Sequence, residues 1–492
     1  MSDLIVSALE MQQIERSAFD DGIGAEALMD QAGEGIAKVI LGLEPQPGIC
    51  VAYLGKGNNA GDAIVAASHL SRAGWKILTR QISQDLRGLP QKKLLSLARE
   101  TINAPLESIP SQGPAILLDG ILGIKSRPQL SPALRLFTRE INALRLRTNA
   151  LVYAIDLPTG VGEEGVDVDA VVADVSLTVG FPKAALFRDD TTNNVGRILP
   201  IALNELTARG PRDEGHAIFS MPRNLRHLLP RRRFAAHKGD FGRVGIIAGS
   251  KGLLGAAILS SEATARAGAG LISLYVPAEI YDMVVPNITP EIMVKPIDDF
   301  RIVLEDNLDT VGIGPGLGQM RSPEVLDVIQ NFSGSMVLDA DALNILSHQP
   351  DCLSHAAGPR LLTPHPGEMA RLWPVLGRLR SDIVQEFTTR YPVTLLLKGA
   401  RTLIGERGRP LAYNSTGSPA LATGGSGDVL TGICAALLAH GISTYDSARL
   451  GAWIHGRSAE LAMENFSEES LLPSDLSSYF GRAFRELRSQ TH

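Results

Sequence analysis

The sequence predicts two α/β domains in tandem, on three observations. The chain has 492 residues, too many for one ordinary hydrophobic core. Both halves contain short apolar runs that end in glycine or an acid. In the first half these are "GICVAYLGKGNNAGDA", "AILLDG" (115–120) and "ALVYAIDLPTG" (150–160). In the second they are "RVGIIAGS" (243–250), "TVGIGPGLG", "SMVLDADALNIL", "RLLTPHPGEMARL" and "VTLLLKGARTLIG". Such runs suit strands of a parallel sheet covered on both faces. Third, the pattern loosens in "TARGPRDEGHAIFSMPRNLRHLLPRRRF", which has several prolines and a basic cluster. The expected division is a first domain at 1–212, a linker at 213–224 and a second domain at 225–492.

In parallel sheets of this kind, ligands bind beyond the carboxyl ends of the strands. Asn58, Asn59, Asp62, Asp119 and Asp156 all fall there in the first half. Asn59, Asp119 and Thr159 offer only oxygen ligands, a set suited to a hard cation. The competing reading is that Asp156 and Thr159 shape a turn around Pro158.

The second half has more converging signals. Lys398 and Gly399 follow the apolar run "VTLLL", where a cation and bare backbone can meet phosphates. Glycines in "GPGLG" (314–318) allow a ligand to approach the main chain. "TPHPGE" places His365 and Glu368 on one rigid loop; Glu368 suits Mg²⁺ held through water and shared with phosphates, and the competing reading of His365 is a helix-capping or packing residue. Asp339 and Asp341 read as an N-cap pair or as site acids. In "ATGGSGDVLTG" (422–432), glycines leave the amides bare at the start of an apolar helix, a setting for an anion. Asp428 within it is either an N-cap or a base beside a phosphate, the arrangement that phosphoryl transfer to a hydroxyl requires. Arg231 to Arg233 read as a phosphate patch or as solvated linker residues.

Composition narrows the class. With 44% hydrophobic and 20% charged residues the chain is that of a soluble globular protein. A net charge of −6 gives no electrostatic case for nucleic acid or an anionic membrane. Cys50, Cys352 and Cys434 match no metal-ligand spacing and sit in apolar contexts, which predicts free thiols and a reducing compartment. No apolar run reaches the ~18 residues of a membrane span, and the start lacks a signal sequence. A cytoplasmic location is expected.

The second half, through "HKGDFGRVGIIAGS", "IGPGLG", "VLDADALNIL", "LLTPHPGEM", "LLKGARTLI" and "ALATGGSGDVLTGICAALLAHG", resembles the bifunctional NAD(P)H-hydrate repair enzyme family. The first half matches through "ALMDQAGEGIA", "GKGNNAGDA", "DLPTGV" and "ADVSLTVGFPKAAL". The resemblance implies a Rossmann-like three-layer epimerase domain fused to a ribokinase-like, ADP-dependent dehydratase domain. The first would interconvert R and S hydrates of NADH and NADPH. The second would dehydrate the S hydrate, converting ADP to AMP and phosphate.

Residue by residue, the resemblance implies potassium at Asn59, Asp119 and Thr159. The hydrate in the first domain would meet Asn58, Asn59, Ala60, Gly61 and Asp62, the loop Gly123, Ile124, Lys125, Ser126, Arg127, Pro128 and Gln129, and a catalytic Asp156. In the second domain Ala256, Gly316, His365 and the catalytic Asp428 would line the hydrate site. Lys398, Gly399, Ala400, Arg401, Thr402 and Gly427 would hold ADP with Mg²⁺. A homo-oligomer is expected. Ala60, Ala63 and Lys125 depart from the family's usual glycines, and a side chain at a close backbone approach crowds a ligand; Ser418 stands where Asn is usual. The alternative is a ribokinase-like small-molecule kinase with a noncatalytic binding module in front.

Overall fold

Residues 3–82, 87–97, 109, 113–211 and 215–489 are described by a computed structural model. The chain divides into two compact units, Met1–His216 and Ala217–His492.

The first unit is built on a six-stranded sheet. Its order is Lys76–Gln81, Ile49–Leu54, Ala115–Gly120, Leu151–Ile155, Val175–Val179, Arg197–Ile201, and every pairing is parallel. Strand residues alternate between two cores because successive side chains point to opposite faces. Cys50, Ala52 and Leu54 pack with the helices Ala25–Leu43 and Asn58–Arg72. Val51 and Tyr53 pack with Ile141 and Leu144 of the helix Pro132–Thr148. Helix, sheet and helix make the three layers.

The second unit has a ten-stranded sheet. Seven parallel strands run in the order Met293–Ile297, Leu271–Pro277, Arg243–Ile247, Thr310–Ile313, Ser335–Leu338, Arg360–Leu362, Thr394–Leu397. Leu403–Glu406 and Ala412–Asn414 continue it antiparallel, and Ile218–Ser220 closes the edge parallel to Ala412–Asn414. One face carries the helices Leu254–Arg266, Ser426–Ala439 and Thr444–Ala462 through Val244, Ile246, Val337 and Leu396. The other packs Ile247, Ile313, Leu338 and Leu397 against the helices Ser322–Asn331, Ala340–Leu346 and Arg380–Arg390.

The division between the units falls inside the expected linker 213–224, between His216 and Ala217, and residues 217–224 belong to the second unit. Ser220 and Asn224 are bonded by Arg449, whose Nη2 donates to Asn224 Oδ1 at 2.8 Å. A strand of three residues, paired with residues nearly two hundred positions later, leaves no local periodicity to read. Residues 212–214 lie outside the described residues.

Cys50 and Cys434 are buried, Cys352 is half-buried, and all three are free thiols. Among the described residues, no helix is long and apolar enough to cross a membrane.

Candidate active sites

In the first unit the chain leaves Ile49–Leu54 for the strand on one side, Lys76–Gln81, and then returns to Ala115–Gly120 on the other. A crevice opens at the carboxyl ends where the direction reverses. Residues Gly55 to Gly57 turn into the helix Asn58–Arg72, whose Gly57 N-cap makes no side-chain bond. Asn58 is exposed there, and Asn59 is buried with its Nδ2 unpaired. A Cβ on Gly123 would lie 3.0 Å from Asn59 Oδ1, so the glycine brings the two loops together.

Asp119 is 0% exposed. Its carboxylate accepts from Thr159 N at 2.7 Å, Thr159 Oγ1 at 2.8 Å and Ile121 N at 3.2 Å. Burial nevertheless pushes its pKa up to about 6, against those bonds. Among the described residues no positive side chain acts on this buried carboxylate, whose partners are Thr159 and Ile121. The oxygens of Asn59, Asp119 and Thr159 fit a weakly hydrated monovalent cation.

The loop from Gly123 to Gln129 is tied to the turn after Asp156. Ser126 Oγ accepts from Gly160 N at 2.9 Å and donates to Pro158 O at 3.4 Å. Gln129 N donates to Asp167 Oδ2 at 3.0 Å, and Pro128 abuts Gly162. Ile124 is half-buried, while Lys125 and Arg127 are exposed. Asp156 has φ +68°, a conformation that a non-glycine residue adopts only when its surroundings hold it. Here Asp156 N donates to Leu177 O at 2.8 Å, and Asp156 Oδ1 accepts from Val179 N at 3.3 Å and pairs with Lys183.

Lys183 is 1% exposed and was not foreseen as a site residue. Asp62, the fifth residue of the helix Asn58–Arg72, is held well above the usual carboxylate range by burial, then by Asp156 and Glu15. Glu15 is raised as well, first by burial. The crevice therefore holds three acids, Asp62, Asp156 and Glu15, around one buried lysine. The signal for Lys183 was a lysine inside the apolar stretch "GFPKAAL".

Ala60 and Ala63 do not face this crevice. Both are fully buried in the sheet core with Leu54 and Leu118, and Ala63 Cβ sits where a Cβ on Gly120 would come within 2.5 Å. Gly61 instead admits Met29, whose sulfur would lie 2.4 Å from an added Cβ.

In the second unit the helix Ser426–Ala439 begins after Gly425, which takes φ +100°. Asp428 is its third residue, so it is not the N-cap. The first-turn amides of Gly427 and Asp428 have no intrahelical acceptor and no side-chain cap. Ser426 N donates to Thr423 O at 3.3 Å. Gly432 lets this helix press onto Leu254–Arg266: an added Cβ would stand 2.2 Å from Ser260 O.

Lys398 reaches under the loop. Its Nζ lies 2.7 Å from Asp339 Oδ1 and 3.9 Å from Glu368 Oε2, and 3.1 Å from where a Gly427 Cβ would be. Burial opposes its charge, yet Asp339, Glu368 and Asp428 hold its pKa above the ordinary lysine value. Asp428 is pushed up to about 7, first by burial, then by Asp339, with Asp341 and Glu368 adding to Asp339 against Lys398. Burial also raises Glu368.

Asp339 occupies an N-cap position but makes no capping bond. Its second oxygen accepts from Thr431 Oγ1 at 2.8 Å. Asp341 accepts from Gly318 N at 2.8 Å and so ties down the 314–318 loop. Within that loop Gly316, at φ +58°, meets Ala256: a Cβ there would come within 2.8 Å of Ala256 Cβ. His365 caps its helix, Nδ1 accepting from Gly367 N at 2.9 Å and Glu368 N at 3.3 Å. That leaves Nε2 to carry the proton of the neutral ring.

The segment from Lys398 to Thr402 turns around Gly399, with Ala400 exposed and Arg401 buried. Arg380, also unforeseen, braces it by donating to Arg401 O at 2.9 Å. Behind the loop Ser426 Oγ contacts His455 Nε2 at 3.2 Å. Burial, then Lys398, lowers the pKa of His455 to about 4, so the ring is neutral. Among the described residues no group of three or more His, Cys, Asp or Glu could cage a metal. With Asp339 engaged by Lys398, the residues fit a Mg²⁺ ion that would arrive on phosphates, with Glu368 a carboxylate that could share it.

These features define a class: a two-domain α/β enzyme with a Rossmann-like first domain and a ribokinase-like second. The family described as NAD(P)H-hydrate dehydratase matches residues 244–482, and that described as YjeF-related protein N-terminus matches residues 25–185. The chain is 31% identical to the bifunctional NAD(P)H-hydrate repair enzyme of Coxiella burnetii, covering 95% of this chain and 96% of that protein. It is 32% identical to the enzyme of the same description from Escherichia coli, over 96% and 92%. The crystal structure of an ADP/ATP-dependent NAD(P)H-hydrate dehydratase from Bacillus subtilis, co-crystallised with ATP and Mg²⁺, aligns with TM-score 0.50 at 29% identity. It covers 55% of this chain and 99% of that one. The chain belongs to the bifunctional NAD(P)H-hydrate repair enzyme family, with an epimerase and a dehydratase domain.

Proposed function

We propose that Asp428 is the base of the dehydratase site. The observation that supports this most directly is a carboxyl with pKa about 7 in the first turn of a helix whose amides are open, beside Lys398. Asp428 takes the proton from the ring hydroxyl of the S hydrate. The oxygen bonds to the β-phosphorus of ADP, and the bond from that phosphorus to AMP breaks. Cleavage of the ring carbon–oxygen bond, with loss of a neighbouring ring proton, then restores the dihydronicotinamide and frees phosphate. Lys398 and the amides of Gly427 and Asp428 hold the charge that develops on phosphate. The segment Lys398 to Thr402 seats the nucleotide, and a Mg²⁺ ion near Glu368 would neutralise phosphate charge.

In the epimerase site Asp156, held by Lys183, and Asp62, whose carboxyl burial holds above the usual carboxylate range, form an unequal pair of acids. One accepts and one donates a proton, which is how environment assigns acid and base roles to two carboxyls. Potassium at Asn59, Asp119 and Thr159 would supply Asp119 with a counter-charge.

The test is absorbance of regenerated dihydronicotinamide with hydrated NADH, Mg²⁺ and either ADP or ATP. ADP is expected to support faster turnover, with one phosphate released per ring restored. A stable phosphorylated product without ring recovery would point to a kinase instead.

A further inference from the structure

We propose that the second unit carries another anion site, for a phosphate dianion, in the groove between residues 229–232 and the ends of three helices. The groove is lined by Arg231, Arg232, Arg266 and Arg488, with His440 and Phe241 at its floor. Arg231 and Arg232 belong to the basic cluster whose role the sequence left open, and the dehydratase reaction does not use them.

Two of the groups are fixed in place. The Arg232 guanidinium stacks on Phe241, 3.8 Å from the ring centroid, and donates to Gly268 O at 2.6 Å. His440 Nε2 donates to the same carbonyl at 2.9 Å. Arg488 comes from the last helix, Phe480–Ser489, and Arg266 from the end of Leu254–Arg266. Burial, then Arg232 and Arg231, lowers the pKa of Arg488: the guanidiniums repel one another. Among the described residues Asp240 is the carboxylate in the lining, and it is engaged by His237 N at 3.0 Å. Glu262 and Glu291, outside the lining, also interact with Arg266.

The charge balance selects the ligand. Four guanidiniums face one carboxylate and the C-termini of the helices Leu254–Arg266 and Ser426–Ala439. Each terminus is worth roughly half a negative charge. Among the lining groups the guanidiniums outweigh the negative ones, which a phosphate anion matches, and arginine forks suit its oxygens. The site is separate from the catalytic one. Asp428 and His440 lie at opposite ends of one helix, about 18 Å apart at 1.5 Å per residue. The source is either free inorganic phosphate or the phosphomonoester end of a nucleotide.

The experiment uses the full chain with ADP saturating the catalytic site. Inorganic phosphate and AMP are each titrated by calorimetry, against the parent and against Arg231→Gln with Arg488→Gln. The parent is expected to bind one phosphate that ADP does not displace. Each guanidinium removed should weaken that site about tenfold, with ADP-dependent dehydration unchanged. Binding of both probes means the site takes a terminal phosphate group; binding of inorganic phosphate alone means it takes the free ion. Equal phosphate affinity in parent and variant, complete displacement by ADP, or preference for a DNA duplex over either probe would overturn the proposal. A double variant that fails to fold is replaced by Arg231→Lys with Arg488→Lys. These keep the charge and lose the fork, and their affinity should still fall several-fold.

Discussion

Both sites lie beyond the carboxyl ends of parallel strands and fill that place differently, the first at the reversal between Ile49–Leu54 and Ala115–Gly120, the second beyond Ser335–Leu338, Arg360–Leu362 and Thr394–Leu397. In the first unit three acids surround one lysine that is almost fully buried, and the helix that opens the site keeps its first-turn residues Ala60 and Gly61 packed inward. In the second, one lysine sits among acids beneath a glycine loop whose amides stay open. In the proposed reading the first arrangement moves protons. The second adds a place for phosphate charge. The difference lies in the glycine loop ahead of Asp428 and in where the lysine enters, since both sites sit on parallel strands.

The largest expected effect comes from Asp428→Asn. Dehydration should fall by about 10²–10⁴-fold, the usual worth of a positioned base, while epimerisation by the same preparation is unchanged. The pH profile should agree. The active form is the carboxylate, so dehydration should rise through about pH 7 and fall tenfold per unit below it. Stability has the opposite sign. The folded carboxyl keeps its proton to about pH 7 while an unfolded one loses it near pH ~4; ionised Asp428 thus opposes folding as pH rises through that window. At pH 8 the variant should melt no lower than the parent. A folded variant with near-normal dehydration would reduce Asp428 to a first-turn acid.

Second in size is Lys183→Met. It leaves Asp156 without its partner beside Asp62 and Glu15. Epimerisation should fall by about 10²-fold, and the first unit should lose ~3–5 kcal/mol, the usual result of breaking a buried pair. Denaturant unfolding read beside R/S exchange separates the two effects. Normal exchange in the folded variant would remove Lys183 from the site.

Much of this contrast was legible in the sequence, for a local reason. Glycine loops after apolar strands placed Asn59, Asp119 and Lys398 at strand ends, and a glycine loop placed Asp428 at a helix start, and the structure puts them there. What escaped depends on partners far along the chain. Asp339 reads locally as an N-cap in "LDADALN", yet it bonds Lys398 and Thr431, 59 and 92 residues away. Lys183 and Glu15 reach Asp62 from opposite ends of the first unit. His365 shows the reverse: its bland reading as a cap is correct, and its other nitrogen lies 3.4 Å from Glu368 Oε1.

Potassium removal should have a smaller effect. If the ion supplies a counter-charge to Asp119, exchanging potassium for choline should lower the melting temperature of the first unit. At ten times the dissociation constant the ion contributes about 1.4 kcal/mol, or ~3–5 °C for a domain of this size. Thr159→Val should melt lower and lose the dependence on potassium. A parent protein indifferent to the exchange would leave Asp119 as a buried, partly protonated acid.

The smallest effect tests whether the first site is damaged by its alanines. Ala60→Gly and Ala63→Gly restore what the family usually carries, and a crowded crevice would then speed up. The structure argues otherwise, because both methyls are buried against Leu54 and Leu118. Each substitution removes a buried methyl, about 0.8 kcal/mol, and puts glycine inside the helix Asn58–Arg72, about 1 kcal/mol. The expected result for each is a melting temperature lower by several degrees and an epimerisation rate within about twofold of the parent. Lys125→Gly belongs in the same series, since Lys125 is exposed at the crevice loop and interacts with Glu15. Faster exchange in Lys125→Gly, with none in the alanine variants, would assign the crowding to that loop. Faster exchange in Ala60→Gly would show that the first turn of the helix moves to admit the hydrate, and the inward packing described above would then belong to the empty crevice alone.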